Sequence, residues 1–284
     1  MSLFEIMFNA TRTEEVPGRF FHAVPFLGVQ ASWVAIVSFF FVAYAFTWSL
    51  HGLIIRYRLP FRQSSKSYAQ VLYFVGLCGP LVAALLSAFM FYGQAGIIGL
   101  LSGSLICNVS WAWYVLAIAP IGIIYSLSVF LYGLWQKNRV TLFKMPPKSV
   151  LVLTLSQVWV VVAEEFGWRG FALPHLQGLF GWLLGTLVLG ILWALWHLPM
   201  FLAPGSNQYG SSFPKYVYAL TVWSFFMAML YYQTNGSVLI CMIFHAAANL
   251  WGLTLNVSEK AERIAMLLYL PVLFVALALL PWWV

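Results

Sequence analysis

The chain has 284 residues, 63% hydrophobic and only 7% charged, with a mean hydropathy of +0.89. A water-soluble domain carries roughly 25% charged residues, so this composition cannot cover a soluble surface and the lipid bilayer is the expected surroundings. The net charge of +7 lies in scattered loops, with no Lys/Arg-rich run interleaved with aromatics, which excludes nucleic acid as the expected partner.

The first 28 residues form an amphipathic lead-in that carries Arg12, Glu14, Glu15 and Arg19. Eight apolar runs long enough to span follow, at 31–54, 69–92, 111–135, 149–175, 179–202, 214–233, 236–256 and 264–283. The fold class expected is therefore all-α, a polytopic membrane protein with about eight transmembrane helices, forming one transmembrane domain over residues 1–284. The stretch 94–106 is too short to span and reads as interfacial or re-entrant. Three cysteines, Cys78, Cys107 and Cys241, match no metal-ligand or disulfide spacing and read as buried structural thiols.

Loop charge sets orientation. Arg56, Arg58, Arg62, Lys66, Lys137, Arg139, Lys144, Lys148, Lys215, Lys260 and Arg263 all fall in odd-numbered loops, which are therefore expected on the cytoplasmic side. Both termini are expected on the other side.

Ionisable residues inside spans are rare and mark function. The fourth span ends VVAEEFGWRG, with Glu164, Glu165 and Arg169. The fifth ends WALWHLPMF, with Trp193, His197 and Pro199, and Pro199 is expected to end or bend that helix. The seventh reads CMIFHAAANL, with His245 and Asn249. Glu165 and Arg169 stand four apart, the spacing of an ion pair on one helix face. Glu164 is rotated ~100° from Glu165, has no partner at helical spacing, and reads as the free carboxylate. At ~1.5 Å per residue, Glu164, His197, His245 and Asn249 fall between mid-depth and the cytoplasmic half, so one shared cavity is expected. His22, His51 and His175 read as interfacial.

That set has a chemistry. A Glu and a His can deprotonate a water together. A second His and an Asn can donate hydrogen bonds to an oxyanion. Cys241 lies on the face of His245 and is a weaker candidate, as a nucleophile.

AEEFGWRGFALPHLQ, WALWHLP and FHAAAN together resemble the three motifs of the CPBP intramembrane proteases, which include the CAAX proteases and bacteriocin-processing enzymes. The resemblance covers residues 149–256. It implies a glutamate-type intramembrane peptidase with Glu164 and His197 activating water, His245 and Asn249 stabilising the oxyanion, and Glu165 and Arg169 organising the fourth helix. The family usually carries Phe where this chain has Trp193, a difference expected to alter cavity shape more than chemistry. The implied substrate is a membrane-associated peptide or protein, prenylated in CAAX members. The implied location is an integral, multi-pass one, in a prokaryotic inner membrane by preference and the endoplasmic reticulum otherwise. No cofactor is expected. Two other readings stay open: a zinc metalloprotease using the same histidines, although no HExxH motif is present, and a proton-coupled transporter, although no inverted repeat is visible.

Overall fold

The computed structural model describes residues 32–60, 68–137, 141–144 and 147–279. The amphipathic lead-in, His22, Arg62, Lys66 and Arg139 lie outside the described residues. Helices fill most of the rest: α1 Trp33–Arg56, α2 Tyr68–Gly76, α3 Gly79–Ser104, α4 Trp111–Gln136, α5 Pro147–Gly167, α6 Leu173–Trp196, α7 Leu198–Leu202, α8 Phe213–Gln233, α9 Val238–Thr254 and α10 Glu259–Leu279. A π-helical turn, Trp168–Ala172, joins α5 to α6. Among the described residues, the extended backbone pairing amounts to one isolated bridge between Phe143 and Leu255. The protein is an all-α, multi-pass integral membrane protein. Phe41, Phe89, Met90, Leu151 and Leu267 are exposed on its helices, a surface suited to lipid.

Over the described residues, each of the eight expected spans coincides with helix. Five stretches among the described residues are long and apolar enough to cross a membrane: Trp33–Arg56, Tyr68–Ser104, Trp111–Gln136, Ser149–Leu202 and Glu259–Ala278. Val238–Thr254 is apolar but shorter. Phe213–Gln233 is helical but falls outside the five.

Two of the long stretches double back at glycine. Gly93 (φ 62°) and Gly181 (φ 76°) adopt left-handed backbone, which only glycine takes without strain. After Gly93 the chain returns so closely that a Cβ on Gly96 would lie 2.6 Å from the Ala88 carbonyl oxygen. After Gly181 a Cβ on Gly185 would lie 2.7 Å from Leu176. In an unbroken helix, residues that far apart in sequence stand ~12 Å or more apart. The stretch after Gly93 is thus a short helix folded back on α3, and Gly181, at the start of the fifth expected span, is the turn that separates its direction from that of the fourth.

The described residues divide into two compact units. The first combines residues 106–161 with the chain from 229 onward. Its centre is α4, against which α9 and α10 pack. Trp251 donates its indole N–H to the Ile118 carbonyl at 2.8 Å, and its ring lies against Gly122, where a Cβ would sit 2.5 Å from it. Lys144 Nζ donates to Gly252 O at 3.3 Å near the end of α9, where the helix leaves carbonyls without partners.

The second unit combines residues up to 105 with 162–228. Its centre is α1 against α2, α3 and α6. Small residues set these distances, as packing between membrane helices requires. A Cβ on Gly79 would lie 2.1 Å from Thr47 Oγ1, and one on Gly76 would lie 2.4 Å from His51 Nε2. Gly167, just after the paired glutamates, rests against Pro80 at a distance that leaves 2.5 Å for a Cβ. Gly190 packs as tightly against Thr221 of α8. His51 is accordingly buried, 2% exposed and stacked on Tyr73, rather than interfacial.

Gly167→Ala is expected to destabilise by ~1–3 kcal/mol through overpacking on Pro80. Gly52→Ala, where a Cβ meets nothing within 4 Å, should be neutral or gain up to ~1 kcal/mol. Thermal unfolding of both variants in detergent checks the contrast.

Candidate active site

The second unit holds five of the residues singled out by sequence. α5 carries Glu164 and Glu165 near its end, and both are buried, at 2% and 0% exposure. An isolated carboxylate at such a place is strongly disfavoured, so each needs a partner. Arg169 Nη1 donates to Glu165 Oε1 at 2.9 Å, with both side chains fully buried. This is the i, i+4 pair that the spacing suggests.

Glu164 is not the free carboxylate expected from its neighbours in sequence. Trp193 Nε1 donates to Glu164 Oε2 at 2.9 Å across α5 and α6. The same oxygen stands 4.0 Å from His197 Nε2. The indole therefore makes a chemical contact, and its presence instead of phenylalanine alters more than shape. The face of the same ring receives the Arg169 guanidinium, with Cζ 4.1 Å from the ring centroid.

The π-helical turn sets this register. Leu173 N donates to Trp168 O, five residues back. Pro174, in the first turn of α6, has no N–H, and its ring crowds the carbonyl four residues before it. A wider turn relieves that crowding, and such turns recur at functional sites. Within it Trp168 packs edge-on against Phe39 and Trp196, and Phe171 stacks on Phe39. His175 follows. It is 3% exposed, hydrogen-bonded at 2.7 Å to Phe171 O and at 2.8 Å to Tyr92, and so is buried rather than interfacial.

His197 sits where α6 stops. The short α7 begins at Leu198 with Pro199 in its first turn, so His197 itself is the break, capping the end of one helix and the start of the next. His197 Nδ1 lies 2.8 Å from Trp193 O. A carbonyl only accepts, so Nδ1 carries a hydrogen and Nε2 is the nitrogen turned to Glu164. Trp196 and Tyr216 meet the imidazole edge-on at 4.7 and 5.2 Å between centroids. Trp48 of α1 donates to Trp196 O at 3.0 Å, and Tyr44 donates to Leu192 O, which ties down the last turn of α6. The Tyr73 and Tyr216 phenols lie within electrostatic range of Glu164.

The first unit holds the other two. His245 and Asn249 lie one turn apart on α9, and His245 is 4% exposed. Asn249 Nδ2 donates to Gln157 Oε1 at 2.8 Å. Gln157 was not singled out by sequence. A polar residue in an apolar run, on the helix of the glutamates, was the available signal. Cys241 is fully buried, Cys78 is half-buried, and Cys107 is exposed, unlike the buried thiol expected there. Among the described residues, no three His, Cys, Asp or Glu side chains are grouped so as to hold a metal ion.

The glutamate–arginine pair gives a stability prediction. Glu165→Gln should destabilise by ~3–5 kcal/mol, because it leaves the Arg169 charge buried without its carboxylate. The double variant Glu165→Leu with Arg169→Met should recover most of that loss. Melting temperatures of the two variants and wild type, in one detergent, measure the difference.

Residues 146–251 match the sequence profile of the Rce1-like family, described as type II CAAX prenyl endopeptidase Rce1-like. The matched region contains all three motifs. A protein named CAAX prenyl protease 2 from Methanococcus maripaludis is 29% identical over 99 residues, which cover 31% of this chain and 34% of that protein. The chain thus spans about a third of the length of the curated relative it matches. The resemblance seen in the motifs is borne out over this region.

Proposed function

We propose that this chain, whose residues 146–251 match the profile of the Rce1-like CAAX prenyl endopeptidase family, is an intramembrane endopeptidase. It hydrolyses a peptide bond of a membrane-associated protein or peptide near a prenylated C-terminus. One observation carries this reading. Glu164 Oε2 and His197 Nε2 stand 4.0 Å apart, too far for a direct hydrogen bond and close enough for one water to touch both.

In this reading the water donates one hydrogen to Glu164 Oε2 and one to His197 Nε2, which turns its lone pairs toward the substrate. Glu164 takes the proton as the water oxygen attacks the carbonyl carbon. The tetrahedral oxyanion then accepts hydrogen bonds from His245 and Asn249, each worth ~3 kcal/mol. Collapse breaks the C–N bond, and Glu164 returns its proton to the leaving amine. That His245 and Asn249 serve the same peptide bond rests on the family motifs and on helix depth read from sequence. Glu165 and Arg169 hold the end of α5 and take no part in proton transfer. The preferred compartment is a prokaryotic inner membrane, with the endoplasmic reticulum as the alternative.

The chemistry needs no metal in this reading. A cleavage screen in detergent, with prenylated and unprenylated peptides of one sequence, tests both points. The prenylated peptide should be cut, and activity should survive thorough chelation. His245→Ala should lower turnover by about 10²-fold or more without changing metal content. Zinc that is stoichiometric, lost in His197→Ala or His245→Ala, and needed for activity would make this a metalloprotease. Proton-driven uptake by liposomes without cleavage would make it a transporter.

A further inference from the structure

We infer that Trp193 is a positioning residue for the Glu164–His197 pair, its indole N–H holding the Glu164 carboxylate toward the imidazole. The inference rests on the peptidase reading above and adds to it a residue that the reading does not use.

Three groups of this one residue meet three members of the site. The indole N–H donates to Glu164 Oε2 at 2.9 Å. The backbone carbonyl accepts from His197 Nδ1–H at 2.8 Å. The ring face carries the Arg169 guanidinium, itself paired with Glu165. Trp193 is 1% exposed, so none of these contacts competes with bulk water. Gly190, one turn earlier, lets this part of α6 approach Thr221 closely, and Trp48 and Tyr44 of α1 fix the carbonyls around it. The indole is therefore held from several sides.

The geometry assigns each contact a separate consequence. The carbonyl fixes which imidazole nitrogen faces Glu164, and any residue at this position supplies a carbonyl. The ring face serves the arginine, and any aromatic residue supplies a face. Only the N–H is particular to tryptophan. A carboxylate turns about its last torsion with little resistance, so without this donor Glu164 Oε2 has less reason to face His197. A misplacement of that size falls on the chemical step rather than on substrate binding.

Two substitutions isolate the N–H. Trp193→Phe keeps an aromatic ring face and the carbonyl. Replacement of Trp193 by benzothienylalanine, with sulfur where the N–H stood, keeps the size and shape of the indole as well. Both should lower kcat by about tenfold while KM stays within about twofold, with melting temperatures near wild type for the benzothienyl protein. An independent arm uses protein labelled with ¹⁵N in its indoles. The Trp193 resonance, assigned by its loss in Trp193→Phe, should shift in Glu164→Gln more than any other indole signal.

Wild-type kcat in the folded benzothienyl protein would overturn the positioning role and leave the peptidase reading standing. A fall in kcat that follows a fall in melting temperature in both variants would reduce Trp193 to a packing residue. A Trp193 resonance unmoved by Glu164→Gln would remove the hydrogen bond itself. A wild-type protein that cleaves no peptide would overturn the peptidase reading, and the positioning role with it.

Discussion

Two adjacent carboxylates, buried among hydrocarbon side chains, are the constraint on which the rest of the site depends. Burying one unpaired carboxylate is prohibitive, and two side by side would also repel each other. The helix resolves this by rotation. Successive residues point ~100° apart, so Glu164 and Glu165 reach different partners. Glu165 meets Arg169 on its own chain segment. Glu164 meets Trp193 on the next helix. The two systems are joined again through the Trp193 ring, over which the Arg169 guanidinium lies.

That arrangement requires backbones to approach closely, and glycine makes the approach possible. Gly167 lets the end of α5 rest on Pro80 of α3. Gly181 reverses the chain so that α6 brings Trp193 back to the glutamates. The link from sequence to function therefore runs through residues without chemistry. An aromatic donor is useful to Glu164 only because small residues elsewhere in the unit set the helix spacing. Pro174 contributes by forbidding a regular α-turn after Arg169, and the π-helical turn is the response.

Much of this was legible in the sequence where the relevant distance is local. Apolar runs located the helices to within a few residues, because length and hydropathy decide which segments suit a bilayer. The Glu165–Arg169 pair followed from i, i+4 spacing, and the break at His197 from Pro199. Partners brought together by packing were not legible. Nothing in the local sequence points Trp193 at Glu164, or Gln157 at Asn249. His51 and His175 looked interfacial because each lies near a helix end, yet packing against Tyr73 and between Tyr92 and Phe171 buries them. A chain that folds back at a glycine keeps its hydropathy continuous, so Ser149–Leu202 is one apolar stretch and two directions of travel.

The central claim is that the two glutamates are buried for different reasons, Glu164 for proton transfer and Glu165 for architecture. Single-turnover cleavage of a prenylated peptide by Glu164→Gln, with its melting temperature measured on the same preparation, tests that claim most directly. The account predicts a protein that melts like wild type and cuts nothing. A Glu164→Gln protein that is folded and cleaves at the wild-type rate would contradict it.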